Sequence, residues 1–250
     1  MTTELDRRSF VQGGSALTAG AAVTAAIGVG QAAAQTSPQS APGAPAQPAA
    51  PPKPKSFDVK TMPFDPKKIK GISEKLLVSH YENNYGGAVK RLNAILEQLA
   101  GLDYAKAPGF QINGLKREEL IATNSMILHE LYFSGLGSDE SQPGPALSEA
   151  LTRDFGSIDR WRAEFIAMGK AEGGGSGWVL LNWDPRNKRL VNAWAADHTT
   201  TLAGGQPILA LDMYEHAYQM DYGAKAGDYV EAFMRAIHWT NPDILFVQYS

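Results

Sequence analysis

Cysteine is absent from the 250 residues, which excludes disulfides, thiolate metal sites, iron–sulfur clusters and a lipid-modified cysteine anchor. Any metal must therefore be held by imidazole and carboxylate. Histidine is scarce as well. Only five are present, His80, His129, His198, His216 and His238, so a histidine-based site has to draw on most of the supply. Long lysine or arginine runs are missing and the formal net charge is −3, so the electrostatic footprint of a nucleic-acid binder is not there. What is present is 44% hydrophobic and 20% charged residues, enough for one ordinary core.

The first residues read as an address. Arg7-Arg8-Ser9-Phe10-Val11 places two arginines before an apolar residue, and residues 16–34 carry no charge. This resembles a twin-arginine export signal over residues 1–34, with Ala32-Ala33-Ala34 supplying small residues for cleavage. Gly and Thr make the run too mild for a membrane span, so no stable membrane insertion after export is expected. Residues 35–55 are Pro, Ala, Gln and Ser with almost no bulky apolar side chain, the composition of a disordered linker.

Beyond Pro66 the period becomes helical. Ser73 is placed as an N-cap before Leu76 and Leu77, and Leu92, Ile95, Leu96 and Leu99 repeat at helical spacing, which predicts one long or broken helix over 73–99. Gly101 and Pro108-Gly109 close it, and a second helix is expected over 117–133 with Leu120, Ile127, Leu128 and Leu131 as its apolar side. Further helices are expected over 145–155 and after the Ser157 cap. The Gly-rich stretch 173–177 then ends the helical half. It lacks the Lys-Ser/Thr of a phosphate loop and reads as a close-packed turn. Strands are expected over 178–183, 189–195 and 207–211, followed by a terminal helix with Tyr229, Val230, Phe233, Met234 and Ile237 on one side. The expectation is an α+β fold: an antiparallel helical hairpin domain over 56–143, then an α+β domain over 144–250 with a three-stranded antiparallel sheet.

Taken singly, His80 and His129 read as ordinary core or surface histidines. Asp212 and His216 differ: they stand four residues apart directly after a predicted strand, so both can face one point if a helix starts there. Three imidazoles and one carboxylate suit iron, manganese or zinc and leave coordination positions for solvent and substrate. Spacing alone does not choose among them.

Several separated blocks over residues 63–246 together resemble the iron/manganese superoxide dismutase family. They are Pro63-Phe64-Asp65, Ile72-Ser73, His80-Tyr81, Leu92-Asn93, Asn124, His129, Phe155-Gly156-Ser157-Ile158-Asp159-Arg160-Trp161, Gly175-Ser176-Gly177-Trp178 and Asp212-Met213-Tyr214-Glu215-His216-Ala217-Tyr218. In the last block Tyr214 stands where the family has Trp. The resemblance implies superoxide as substrate and one iron or manganese per subunit, held by His80, His129, Asp212 and His216. It implies a homodimer or homotetramer in which Glu215 bonds across the interface to the partner's copy of His216. Trp178 would line the cavity.

The family's glutamine that donates to solvent at the metal is missing from both of its usual places. Ser125 occupies one and His198 falls at the other, which makes His198 the candidate donor, similar to the family's histidine variants. Asn84, Ala88 and Gln219 replace a histidine and two tyrosines around the substrate passage. An exported metal-binding protein of the same fold with little turnover is the alternative. A zinc hydrolase is disfavoured, since no second ligand completes His129-Glu130 into a His-Glu-x-x-His pattern. His238, outside the ligand pattern, reads as structural. With the export signal, the expected location is periplasmic or extracellular.

Overall fold

A computed structural model describes residues 53–139, 141–172 and 175–250. The expected export signal and most of the expected linker lie outside them. Ser73 opens the first helix as its sequence suggests: its backbone is extended and its side chain accepts a hydrogen bond from the Leu76 N–H at 3.1 Å. Helix α1 (Glu74–Ser79) runs into a π-helical segment, His80–Tyr85, and then into α2 (Gly86–Ala100). The broken helix expected over 73–99 is therefore one continuous rod with a wider turn at His80, a device common at functional sites.

Helix α3 spans Gly109–Ser134 and starts earlier than its apolar pattern predicts. Pro108 is its N-cap, with extended backbone (φ −66°, ψ 144°), so Pro108-Gly109 opens this helix as well as closing the preceding turn. The early turns face solvent, with Phe110 largely exposed, and a solvated helix start leaves no apolar stripe to read. The expected apolar side is also half corrected: Leu128 and Leu131 are buried beside Ala122, Met126, Tyr132 and Phe133, whereas Leu120 and Ile127 are exposed. Tyr85, just before α2, bonds to Glu130 late in α3, while Arg91 pairs with Glu118 early in α3. The two helices therefore run antiparallel.

Helices α4 (Pro145–Phe155) and α5 (Ile158–Ala171) lead to the strands β1 (Trp178–Asp184), β2 (Arg189–Ala195) and β3 (Gln206–Asp212). The sheet is antiparallel throughout in the order β2-β1-β3. Six consecutive residues of β1, 178–183, are buried, as suits a central strand covered on both faces. Helices α3 and α8 pack against β3, α5 against β1 and α4 against β2.

A short 3₁₀ turn (Glu215–Ala217), α6 (Gln219–Tyr222), α7 (Ala226–Ala236) and α8 (Thr240–Tyr249) complete the chain. Helix α8 has no counterpart in the sequence reading, because Ile244 and Val247 point to solvent and Phe246 inward, which breaks the helical stripe. Among the described residues no helix is long and apolar enough to cross a membrane.

Candidate metal centre

Three separate stretches of chain bring four donor groups together. His80 opens the π segment, His129 lies on α3, Asp212 ends β3 and His216 sits in the 3₁₀ turn that follows. One ligand atom from each lies within 4.8 Å of all the others. The meeting point is Asp212 Oδ2, which is 3.1 Å from His80 Nε2, 3.1 Å from His216 Nε2 and 3.6 Å from His129 Nε2. The carboxylate and His80 and His129 are buried, and His216 is partly open.

Sheet register sets the carboxylate. Trp178 at the start of β1 pairs with Asp212 at the end of β3, and the Met213 N–H donates to the Gly177 carbonyl at 3.0 Å. Gly177 has to be glycine: its φ is +152°, and a Cβ there would stand 2.4 Å from the Ala195 carbonyl oxygen. Asp212 Oδ1 accepts the Tyr214 N–H at 2.8 Å, which turns Oδ2 toward the imidazoles.

The protonation states suit a cation. Burial lowers the pKa of His80 and brings that of His129 down to about 3, with His80 adding to the effect on His129. Burial alone would raise Asp212, but the electrostatic interaction with His216 and hydrogen bonds from His216 and His80 outweigh it and hold the group below the usual carboxylate range. His129 Nδ1 lies 2.6 Å from the Ser125 carbonyl four residues back on α3. Donation there leaves a lone pair on Nε2. His129 Nε2 is buried with no hydrogen-bond partner, an expensive arrangement unless something else satisfies it. Neutral imidazole nitrogens and one anionic oxygen form the deprotonated donor set that a divalent or trivalent ion requires.

Around this set stand the other residues singled out in the sequence. Trp178 is fully buried and meets His129 edge-on at 5.2 Å and His198 at 5.7 Å between ring centres. His198 lies nearly parallel to His129, with ring centres 6.2 Å apart, and its Nε2 is buried without a partner. Its backbone carbonyl accepts the Asn124 amide at 2.5 Å. Glu215 and Gln219 are exposed beside the ligand loop. His238 is a packing residue, as expected: its ring fills the space over Gly137 and its N–H donates to the Gly135 carbonyl at 2.8 Å. A cavity of about 380 Å³ opens beside His129 and His216, lined by Asn84, Ala88, Arg91, Ser125, His198 and Tyr214 among others.

Two residues here escaped sequence reasoning. Arg91 brings a guanidinium to the cavity although it is paired with Glu118. Tyr214, noted only as a departure from Trp, places its hydroxyl 2.9 Å from His198 Nδ1. Nothing in the spacing of residues 198 and 214 announces that bond, because it depends on how the loop before β3 folds back.

Fold and site together define an α+β protein with a three-histidine, one-aspartate group that could hold a metal ion. A model of the family described as iron/manganese superoxide dismutases, C-terminal domain, matches residues 143–243. The chain is 68% identical over 183 residues to a Cupriavidus metallidurans protein named superoxide dismutase [Fe], covering 73% of this chain and 92% of that one. A Haloferax volcanii superoxide dismutase [Mn] 2 is 35% identical over 198 residues, 77% of this chain and 96% of that one. An Aquifex aeolicus superoxide dismutase [Fe] is 34% identical over 181 residues, 70% and 84% respectively. The chain belongs to the iron/manganese superoxide dismutase family.

Proposed function

We propose that the chain is a superoxide dismutase with a mononuclear iron or manganese centre held by His80 Nε2, His129 Nε2, Asp212 Oδ2 and His216 Nε2. The observation that carries this reading is the convergence of those four atoms within 4.8 Å, in a chain whose relatives are named for the activity. When bound, the metal supplies a one-electron couple, so that two superoxide anions and two protons become one dioxygen and one hydrogen peroxide.

The protein's residues do the rest. Asp212 brings the negative charge that balances the cation, and the Ser125 carbonyl holds His129 in the tautomer that can ligate. Trp178 closes the inner wall against bulk water. The cavity beside His129 and His216 is the entrance for superoxide, with Asn84 and Ala88 on its wall. His198 serves as the group that donates from Nε2 to the solvent or substrate in the site and so tunes the metal's potential. The little-turnover alternative is not favoured, since a relative 68% identical over 183 residues is named for the activity.

In the same reading, residues 1–34 direct export by the twin-arginine route to the periplasm or beyond, and residues 35–55 tether the enzyme. The subunit pairs as a homodimer or homotetramer. Exposed Glu215 reaches across to the partner's His216.

The decisive experiment is metal analysis with activity. Purified protein should hold close to one iron or manganese per subunit and remove superoxide, and Asp212→Ala should lose both properties. Zinc as the sole tightly held metal, or turnover no faster than that of free metal ions, overturns the proposal.

A further inference from the structure

Tyr214 and His198 form a pair whose geometry fixes a proton. The Tyr214 hydroxyl lies 2.9 Å from His198 Nδ1, and the two rings are tilted by 37° with centres 4.9 Å apart. On its other side Tyr214 stacks against His216, with centres 5.4 Å apart and planes 15° from parallel. The phenol is thus wedged between His198 and a donor imidazole and cannot swing away. The Asn124 amide holds the His198 carbonyl at 2.5 Å, and Asp197 ties the same loop by accepting from the Thr199 N–H at 2.7 Å.

A phenol oxygen has one proton to give and lone pairs to receive, and a neutral imidazole has one nitrogen of each kind. A phenol keeps its proton in neutral water, and the Tyr214 hydroxyl lies within hydrogen-bond distance of His198 Nδ1. The phenol's own proton is then left for His198 Nδ1. The opposite nitrogen, Nε2, is buried and has no protein partner.

We propose that Tyr214 is the positioning residue that sets the tautomer of His198: its hydroxyl donates to Nδ1, so the imidazole proton stands on Nε2, free to be donated in the metal site. This rests on the reading of His198 given above and adds the reason that this imidazole is a donor there. Without the hydroxyl, both tautomers become available, and one of them presents a lone pair where a proton is needed.

The test is a tautomer measurement with a redox readout. In protein labelled with ¹⁵N-histidine and loaded with zinc as a diamagnetic ion, the His198 resonances should show a protonated Nε2 and an unprotonated Nδ1. In Tyr214→Phe, which keeps the ring, both resonances should shift toward a mixture, and the reduction potential of the iron-loaded protein should shift at unchanged iron content. In a His198→Ala background, Tyr214→Phe should cause no further change in potential. A proton on Nδ1 in the unsubstituted protein overturns the proposal, as does Tyr214→Phe leaving the His198 resonances in place. An equal potential shift with and without His198 overturns it too, since Tyr214 would then act directly. If His198→Ala leaves the potential unmoved while the resonances behave as expected, the role given to His198 fails and the tautomer assignment stands.

Discussion

Above about pH 6.5, the ordinary histidine value, burying His80 and His129 carries no protonation cost, because neither folded nor unfolded chain holds the charge. Below it the unfolded chain takes up protons that the folded one refuses, since burial lowers His80 and brings His129 to about 3. Each such group removes up to about 1.4 kcal/mol of stability per pH unit over that window. Asp212 works on a lower window: its depressed pKa adds stability that is fully present above the ordinary carboxylate value near 3.8 and is lost as pH falls further. Urea unfolding of the metal-free protein should therefore show stability falling from pH 6.5 toward pH 3, with a shallower slope in His129→Gln. A profile flat across that window would contradict the burial described for the imidazoles. At this scale the four converging donor groups were legible, since Asp212 and His216 share a strand-to-turn spacing and the blocks around His80 and His129 keep their order. The Tyr214–His198 bond was not, because a loop-to-loop contact leaves no period in the chain.

Ser73 pins helix α1 beside the loop that carries His216. Ser73 caps the helix, and its N–H and hydroxyl both donate to Asp221 of α6, at 2.6 and 2.7 Å. His80 follows the end of α1 directly, and His216 lies shortly before α6, so this clasp holds two ligand-bearing stretches side by side. Ser73→Ala should cost about 1–2 kcal/mol in chemical unfolding, and combining it with Asp221→Ala should cost less than the sum of the two. Strict additivity would mean that the bond between the Ser73 hydroxyl and Asp221 contributes nothing. The cap itself was readable from Ser73 and the leucines behind it. The starting point of α3 and the whole of α8 were not, for a shared physical reason: solvated turns at Phe110 and outward-facing Ile244 and Val247 erase the apolar stripe on which such reading depends.

For the whole molecule, the α+β architecture followed from the change of period near Gly177, where glycine permits the close approach of β1 to its neighbours. The proposed export address lies at the other end of the chain. Replacing Arg7 and Arg8 by lysine should retain the protein in the cytoplasm, as followed by cell fractionation, while leaving its metal content and specific activity unchanged. Normal export of that variant would remove the twin-arginine reading without touching the enzyme.

His80 and Asp212, whose atoms meet at 3.1 Å, are separated by 132 positions along the chain. A growing chain holds all four donors only once it has reached His216, so full coordination of an ion waits for both the hairpin and the last strand. On the proposed twin-arginine route, the supply of iron and manganese in the compartment where the chain folds then decides which ion it carries.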